Sequence, residues 1–277
     1  MSFAYYNGTF SDFDSIRLPL SDRSIFFADG VYDACIGMGE KIYLEGEHLE
    51  RFFNNASVLG LKLPFTEELF SRLLHETAKR SGIKSFFLYF QVSGNSSERK
   101  HAPRDTEKSN VLITVKEHFL KSEDTLLSLV TYPDIRHSFC NVKTLNLLGS
   151  ALASEYAHGA GADEAVFVKG GTVTECAHSN LFIIKNGILI THPEDEKILP
   201  GITRKRLLLT ARKMGIETKE RAFSLSELLS ADDVIITSTS KLALRAKTLD
   251  GAEISRKKST AGDALIADMF KCYREFC

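Results

Sequence analysis

Cysteine pairs at metal or disulfide spacing are missing from this sequence. Its five cysteines, at 35, 140, 176, 272 and 277, are odd in number and form no C-x-x-C pair. That argues against a disulfide framework and against a zinc site. The eight histidines are scattered without an H-E-x-x-H pair, so metal chemistry is not suggested. A surplus of one charge is lacking too. The formal net charge of −1 gives no electrostatic case for nucleic acid or an anionic membrane as partner. No apolar run approaches the ~18 residues of a membrane span. The opening MSFAYYNGTF has neither the charged start nor the apolar block of a signal peptide. A cytoplasmic protein with reduced thiols is expected.

What is present is the composition of a globular protein with ample core: 43% hydrophobic and 26% charged residues over 277 positions. That length suits two ordinary domains or one large α/β unit. Strand–turn–strand signals open the chain at Tyr5–Asn7–Gly8–Thr9, and VYDACIG (31–37) with KIYL (41–44) reads as a hairpin around Gly37–Gly39. Helical spacing follows from Glu47 to about Gly60, and again from about Thr66 to Arg80 with Gly82 as stop. FFLYFQV (86–92) and NVLITV (110–115) are β-rich and flank a polar loop, 93–105. The polar stretch 116–125 is the expected linker, dividing a small N-terminal α/β domain (1–118) from a larger C-terminal domain (122–277).

The second part is richer in strands: TLLSLVTY, the segment around Cys140–Val142, DEAVFVK, TVTE, NLFIIK, GILITH and DVIITSTS (233–240). Helices are expected from Thr144 to about His158, from Thr203 to Met214, and near Ser224–Leu229. The fold class is therefore mixed α/β.

Lys143 stands out within CNVKTLNLLGSALASEYA (140–157). A lone lysine is ordinarily solvated. Here it joins an alternating stretch to a helix whose stripe, Leu145, Leu148, Leu152 and Tyr156, is expected to pack inward. Desolvation at such a junction would make its amine a usable nucleophile or base.

In LPGITRKRLLL (199–209), Pro200–Gly201 forces a turn and a helix follows. The amides of Ile202 and Thr203 would then sit at a helix N-terminus, where free N–H groups and the helix dipole favour phosphate. On this stretch alone, a plain Pro-Gly turn with Thr203 as cap is favoured. Ser238, Thr239 and Ser240 end a strand and would add hydroxyl donors, or form an ordinary polar loop. Glu175, also at a strand end, is a turn residue or the partner of a buried cationic nitrogen. Arg99 and His101 share the polar loop as R-x-H, which suits a carboxylate because a guanidinium grips one bidentately; a solvated loop would read the same way. A lysine, a phosphate-type helix start, an acid and a carboxylate-type loop together describe pyridoxal phosphate chemistry.

The stretches FFADGVYDA, EHLERF, YFQVSGNSSERKH, DIRHSFCNVKTLNLLGSALA, VTECAHSNLFIIKNGILITHP, ILPGITR and VIITSTS span nearly the whole chain. With them the sequence resembles the fold type IV (class IV) pyridoxal-phosphate aminotransferases, and among these the D-amino acid aminotransferases. The resemblance implies two α/β domains with pyridoxal 5′-phosphate between them, in a homodimer. It implies that Lys143 is the Schiff-base lysine and Glu175 the acid facing the pyridine nitrogen. Arg51, Ile202, Thr203, Ser238 and Thr239 would hold the phosphate, and Leu199 would pack against the ring. Tyr32, Arg99 and His101 would trap the substrate α-carboxylate, the last two coming from the neighbouring subunit. The implied reaction is ping-pong transamination of D-amino acids with 2-oxoglutarate or pyruvate.

Some positions depart from the pattern. Cys176-Ala177-His178 replaces the usual Gly-Ser-Ser or Gly-Ser-Gly, FADG replaces FGDG, and Lys241 and Arg245 are unexpectedly basic. His178 would narrow the pocket or add a titratable group. Branched-chain L-aminotransferases and aminodeoxychorismate lyases share the scaffold, but Tyr32 with Arg99-x-His101 argues against both. A non-catalytic cofactor-binding protein is the alternative of another class.

Overall fold

The computed structural model describes residues 2–95, 98–102, 105–254 and 259–277, leaving aside the side chains of 106 and 107. The chain divides into two compact units. One comprises everything described up to Phe119, together with Val142–Asn146 and Cys277; the other comprises Leu120–Asn141 and Leu147–Phe276.

The first unit contains β1 (Ser2–Tyr6), β2 (Thr9–Asp12), α1 (Arg23–Phe27), β3 (Gly30–Met38), β4 (Lys41–Ile42), α2 (Glu45–Val58), α3 (Glu67–Ser81), β5 (Ser85–Asn95) and β6 (Asp105–Glu117). Asn7 and Gly8, at φ 44° and 96°, make the tight turn joining β1 to β2. Thr66 caps α3 by accepting from the Leu69 amide, and Gly82 ends it at φ 67°. The strands form an antiparallel sheet in the order β2-β1-β6-β5-β3-β4. Phe86, Leu88, Phe90 and Val92 alternate along β5 and are buried. Against them pack Phe52 of α2 and Phe70 of α3, whose rings stack at 5.2 Å.

Because β4 pairs only with Gly37 and Met38, the β3 edge at Gly30–Tyr32 stays open. The segment Val142–Asn146 fills it. The Tyr32 amide donates to the Lys143 carbonyl at 3.0 Å, the Leu145 amide to Gly30 at 3.0 Å, and Val31 bridges Thr144. Gly30 is required: a β-carbon there would lie 2.6 Å from the Leu145 Cδ1. Lys143, expected within the C-terminal domain, is thus carried on the first unit's sheet.

The second unit contains β7 (Leu126–Pro133), α4 (Leu148–Gly159), β8 (Glu164–Lys169), β9 (Thr172–Cys176), β10 (Asn180–Lys185), β11 (Ile188–Thr191), α5 (Ile202–Lys213), β12 (Thr218–Glu220), β13 (Phe223–Ser224), α6 (Leu225–Leu229), β14 (Asp233–Ser238), β15 (Leu242–Leu249), β16 (Ala252–Glu253) and α7 (Thr260–Phe276). Its mixed sheet runs β12-β11-β10-β14-β15-β7-β8-β9-β13, with β16 beside β15. The parallel pairs are β11–β12, β15–β7 and β7–β8. Sequence patterning did not anticipate β15 or α7.

Two expectations around Lys143 are corrected. Cys140 and Asn141 form a turn rather than a strand, and Cys140 is half-buried, its amide on the Glu196 carbonyl. The helix begins at Leu148, not Thr144, and its leucine stripe does not pack inward: Leu148 is 74% and Tyr156 53% exposed. Ala153 and Ala157 are the buried positions, against Ala165 and Phe167 of β8. Small residues allow close approach to the sheet, so α4 seats on its alanines and turns its leucines outward.

Candidate active site

The first unit assembles an amine, a phenol and a buried charge cluster. Lys143 Nζ donates to Tyr32 Oη at 3.2 Å and lies 4.3 Å from the Tyr32 ring centroid. The backbone pairing of Gly30–Tyr32 with Lys143–Leu145 fixes both residues, so the contact follows from sheet register rather than from chance side-chain reach.

Side chains alternate along β3, and its next residue, Asp33, is fully buried. It accepts from Arg51 through Nε and Nη2, each at 2.8 Å, and meets His48 Nδ1 at 2.8 Å. Burial alone would raise the pKa of Asp33, but Arg51 and His48 hold it well below the usual carboxylate range. Burial pushes His48 downward against the pull of Asp33, with Arg51 and Lys143 adding to the depression. Arg51 is therefore an oriented, permanently charged guanidinium rather than a solvated one.

The loop bearing Arg99 and His101 docks on α1. Asp22 caps that helix through the Ser24 amide at 2.9 Å. Arg23 donates to the carbonyls of Lys100 at 2.6 Å and His101 at 3.3 Å. Arg99 lies 5.5 Å from the Phe27 ring and His101 5.0 Å from it. Both side chains are exposed, and among the described residues neither shares a hydrogen bond or ring contact with Tyr32, which meets Lys143 and Tyr89 instead.

In the second unit Glu175 is the hub. It is buried on β9 and accepts from Arg136, from Asn180 Nδ2 at 3.0 Å and from the Leu199 amide at 3.1 Å. Arg136 also grips Asp134 at 2.9 Å and lies 4.2 Å from the Phe167 ring centroid. Burial works against its charge, yet Asp134 and Glu175 hold its proton more tightly than usual.

Asn180 also donates to the Leu199 carbonyl at 2.9 Å, tying the segment that starts α5 to the same acid. Gly201 precedes α5, and among the described residues no side chain caps the helix. Ile202 and Thr203 are buried there. A buried N-terminus without a side-chain cap suits an anion. Asn180 pairs with Thr237 across β10 and β14, whose continuation carries Ser238 and Thr239. Thr237 Oγ1 is a buried hydroxyl without a partner among the described residues, and Ser238 and Thr239 are half-buried at the turn into β15. The unexpected basic residues have partners: Arg245 binds buried Asp233 at 2.8 Å, and Lys241 binds buried Glu164 at 2.5 Å.

Thus Tyr32 and Lys143 meet in one unit, with Arg51 held by the neighbouring Asp33, while Glu175, Leu199, Ile202 and Thr203 converge in the other. Sequence reasoning missed Asp33, His48, Arg136 and Asn180. His48 and Arg51, three apart on a helix and so on one face, carried a signal for the first cluster. Arg136 carried none, since an arginine in a polar stretch reads as solvated. A buried acid, an uncapped helix start and an amine against a phenol are groups of the kind a phosphorylated pyridine aldehyde requires.

The family model for class IV amino-transferases matches residues 30–249. A D-alanine aminotransferase of Staphylococcus haemolyticus is 34% identical over 261 residues, covering 93% of each chain. Another, from Listeria innocua serovar 6a, is 35% identical over 246 residues, covering 87% of this chain and 85% of its own. Among solved structures, a branched-chain aminotransferase from the archaeon Thermoproteus uzoniensis, with norvaline, superposes with TM-score 0.85 at 22% identity, covering 97% of this chain and 93% of that one. The Escherichia coli branched-chain amino acid aminotransferase gives 0.85 at 18% identity, covering 98% and 92%. At those identities the structural likeness speaks for the fold.

Proposed function

This chain belongs to the class IV aminotransferases, and we propose that it moves the amino group of D-amino acids, D-alanine among them, to a 2-oxo acid such as 2-oxoglutarate or pyruvate, using pyridoxal 5′-phosphate. The observation that carries this reading is the contact between Lys143 Nζ and Tyr32 Oη, 3.2 Å apart. It joins the residue assigned to the reacting amine to one assigned to the substrate carboxylate. D-alanine aminotransferases at 34% identity over most of the chain support the choice of substrate.

When bound, pyridoxal phosphate supplies an electron sink for negative charge developing on the substrate Cα. Lys143 would hold the cofactor through its amine, and the same amine, when free, would carry the proton that leaves the substrate Cα. Acid–base help of this kind is worth ~10²–10⁴-fold. Tyr32 positions that amine through its oxygen. Glu175, held in place by its fixed donors, would face the ring nitrogen and favour its protonated form. Arg51 on the one unit and, on the other, the start of α5 at Ile202 and Thr203 with the hydroxyls of Ser238 and Thr239 would be the residues to hold the phosphate. Leu199, anchored to Glu175 through its amide, would pack against the ring.

The substrate carboxylate is held by Tyr32 with Arg99 and His101, which one subunit of a homodimer supplies to the other. Their exposed position against α1, beside the exposed Phe26, supports that sharing. A cytoplasmic location suits the five free cysteines. No helix among the described residues is long and apolar enough to cross a membrane.

The test pairs D- and L-alanine, glutamate and leucine with 2-oxoglutarate and pyruvate. Turnover of D-alanine, well ahead of its L-enantiomer, is expected. Turnover of L-leucine without D-alanine would overturn the assignment in favour of a branched-chain enzyme. Cofactor bound but unreactive with every amino acid would leave only a binding protein.

A further inference from the structure

Tyr32 has neighbours on both edges of β3. On one edge the segment Val142–Asn146 brings Lys143 to its hydroxyl. On the other, β5 pairs Gln91 with Tyr32 and Tyr89 with Ala34, so these four side chains share one face of the sheet. Ala34 is too small to fill the space opposite Tyr89. The Tyr89 ring instead lies diagonally against Tyr32, with centroids 5.3 Å apart and planes 28° from parallel.

Gln91 closes the figure. Its Oε1 accepts from the Tyr89 hydroxyl at 2.7 Å, and its backbone stands directly across from Tyr32. Three contacts of different kinds therefore tie three residues together: a strand register, a hydrogen bond and a ring stack. Burial raises the pKa of Tyr89, and Tyr32 adds to the rise, so its hydroxyl stays a donor throughout the neutral range. With that hydroxyl given to Gln91, Tyr89 meets Tyr32 through its ring, and the Tyr32 oxygen meets Lys143. A tyrosine held by its backbone alone can turn about its side-chain torsions. Stacked on a ring that is itself fastened, Tyr32 keeps one rotamer.

We propose that Tyr89, fastened by Gln91, is a positioning residue: its ring holds the Tyr32 phenol against the Lys143 amine and so sets where that amine points. This rests on the roles given above to Tyr32 and Lys143. Tyr89 acts through Tyr32, so its effect on the amine should vanish when the Tyr32 hydroxyl is gone.

The test is a double-mutant cycle. Tyr89→Leu should lower kcat/KM of the holoenzyme for D-alanine about three- to tenfold, and less than about twofold in a Tyr32→Phe background. Tyr89→Phe keeps the ring and should recover most of the loss. A second readout needs no turnover: acylation of Lys143 by acetic anhydride at neutral pH, followed by peptide mass on the full chain stripped of cofactor. An amine released from the phenol is a freer nucleophile, so this rate should rise about threefold or more in Tyr89→Leu. It should stay near wild type in Tyr89→Phe and rise no further when Tyr89→Leu is added to Tyr32→Phe. Should Tyr89→Leu not fold, Gln91→Met unfastens the ring without removing it and is expected to show the same coupling. An acylation rate unchanged in the folded variant overturns the proposal, as does an equal fall of kcat/KM in both backgrounds, which marks Tyr89 as a packing residue. A wild type inactive with every amino acid sinks the transaminase reading instead, and the acylation rates then still decide the role of Tyr89.

Discussion

Asn180 Oδ1 occupies the space that a β-carbon on Gly201 would need. The same side chain binds Glu175 and the Leu199 carbonyl, so the glycine lets one amide tie the acid to the start of α5. Gly201→Ala should therefore displace the helix start and its anion-binding amides. Overpacking of this kind costs about 1–3 kcal/mol. Thermal unfolding should report the loss, and the affinity for pyridoxal phosphate should fall. Unchanged cofactor affinity would remove the α5 start from the phosphate site.

Lys143→Ala should abolish steady-state transamination, with a loss of at least ~10²-fold. The protein should remain folded, because Lys143 meets β3 through its backbone and alanine keeps that pairing. A stopped assay with D-alanine and pyridoxal phosphate in excess decides it, and near-wild-type turnover would strip the lysine of its role.

Glu175→Gln keeps the size of the side chain but not its charge. An amide cannot hold the ring nitrogen protonated, so kcat should drop while bound cofactor, counted by absorbance after alkaline release, stays near stoichiometric. Equal kcat in variant and wild type would show that the ring nitrogen does not depend on this acid.

Asp33 carries the pH prediction. Its folded-state pKa is depressed, burial being outweighed by Arg51 and His48. Its contribution to stability is therefore fully present above the unfolded value of about 3.9 and is lost as pH falls below it. Asp33→Asn strands Arg51 in a buried site and should cost about 3–5 kcal/mol at neutral pH. Urea unfolding at a series of pH values should show the gap between wild type and variant closing below about pH 4. A gap independent of pH would mean that the ion pair is not its source.

If one subunit lends Arg99 to the other's site, as proposed, mixing two variants reveals it. Arg99→Ala and Lys143→Ala should each be inactive alone. Dissociated and reassociated together, they should recover roughly a quarter of wild-type activity, since half the dimers are mixed and each has one intact site. No recovery with demonstrated subunit exchange would place Arg99 in its own subunit's site.

Local rules of the chain were enough for several elements. Asn7-Gly8 demands a tight turn, Thr66 a helix cap and Gly82 a helix stop, and each acts on neighbours a few residues away. The same holds for the helix after Pro200-Gly201 and for the alternation along β5. Motif likeness carried further, bringing in Arg51, Glu175 and Tyr32, though not the partners that orient them.

What the amino-acid order determined by itself was which stretches extend, coil or turn, because those preferences are settled by backbone sterics and capping within a few residues. Only the tertiary structure decided that Lys143 would lie on the open edge of β3 against Tyr32, 111 positions earlier. It likewise decided that Arg136 would serve Glu175 and that α4 would turn its leucines outward. Those outcomes depend on which strand edges and faces remain uncovered once the sheets have formed, a property of the whole chain that no short window contains.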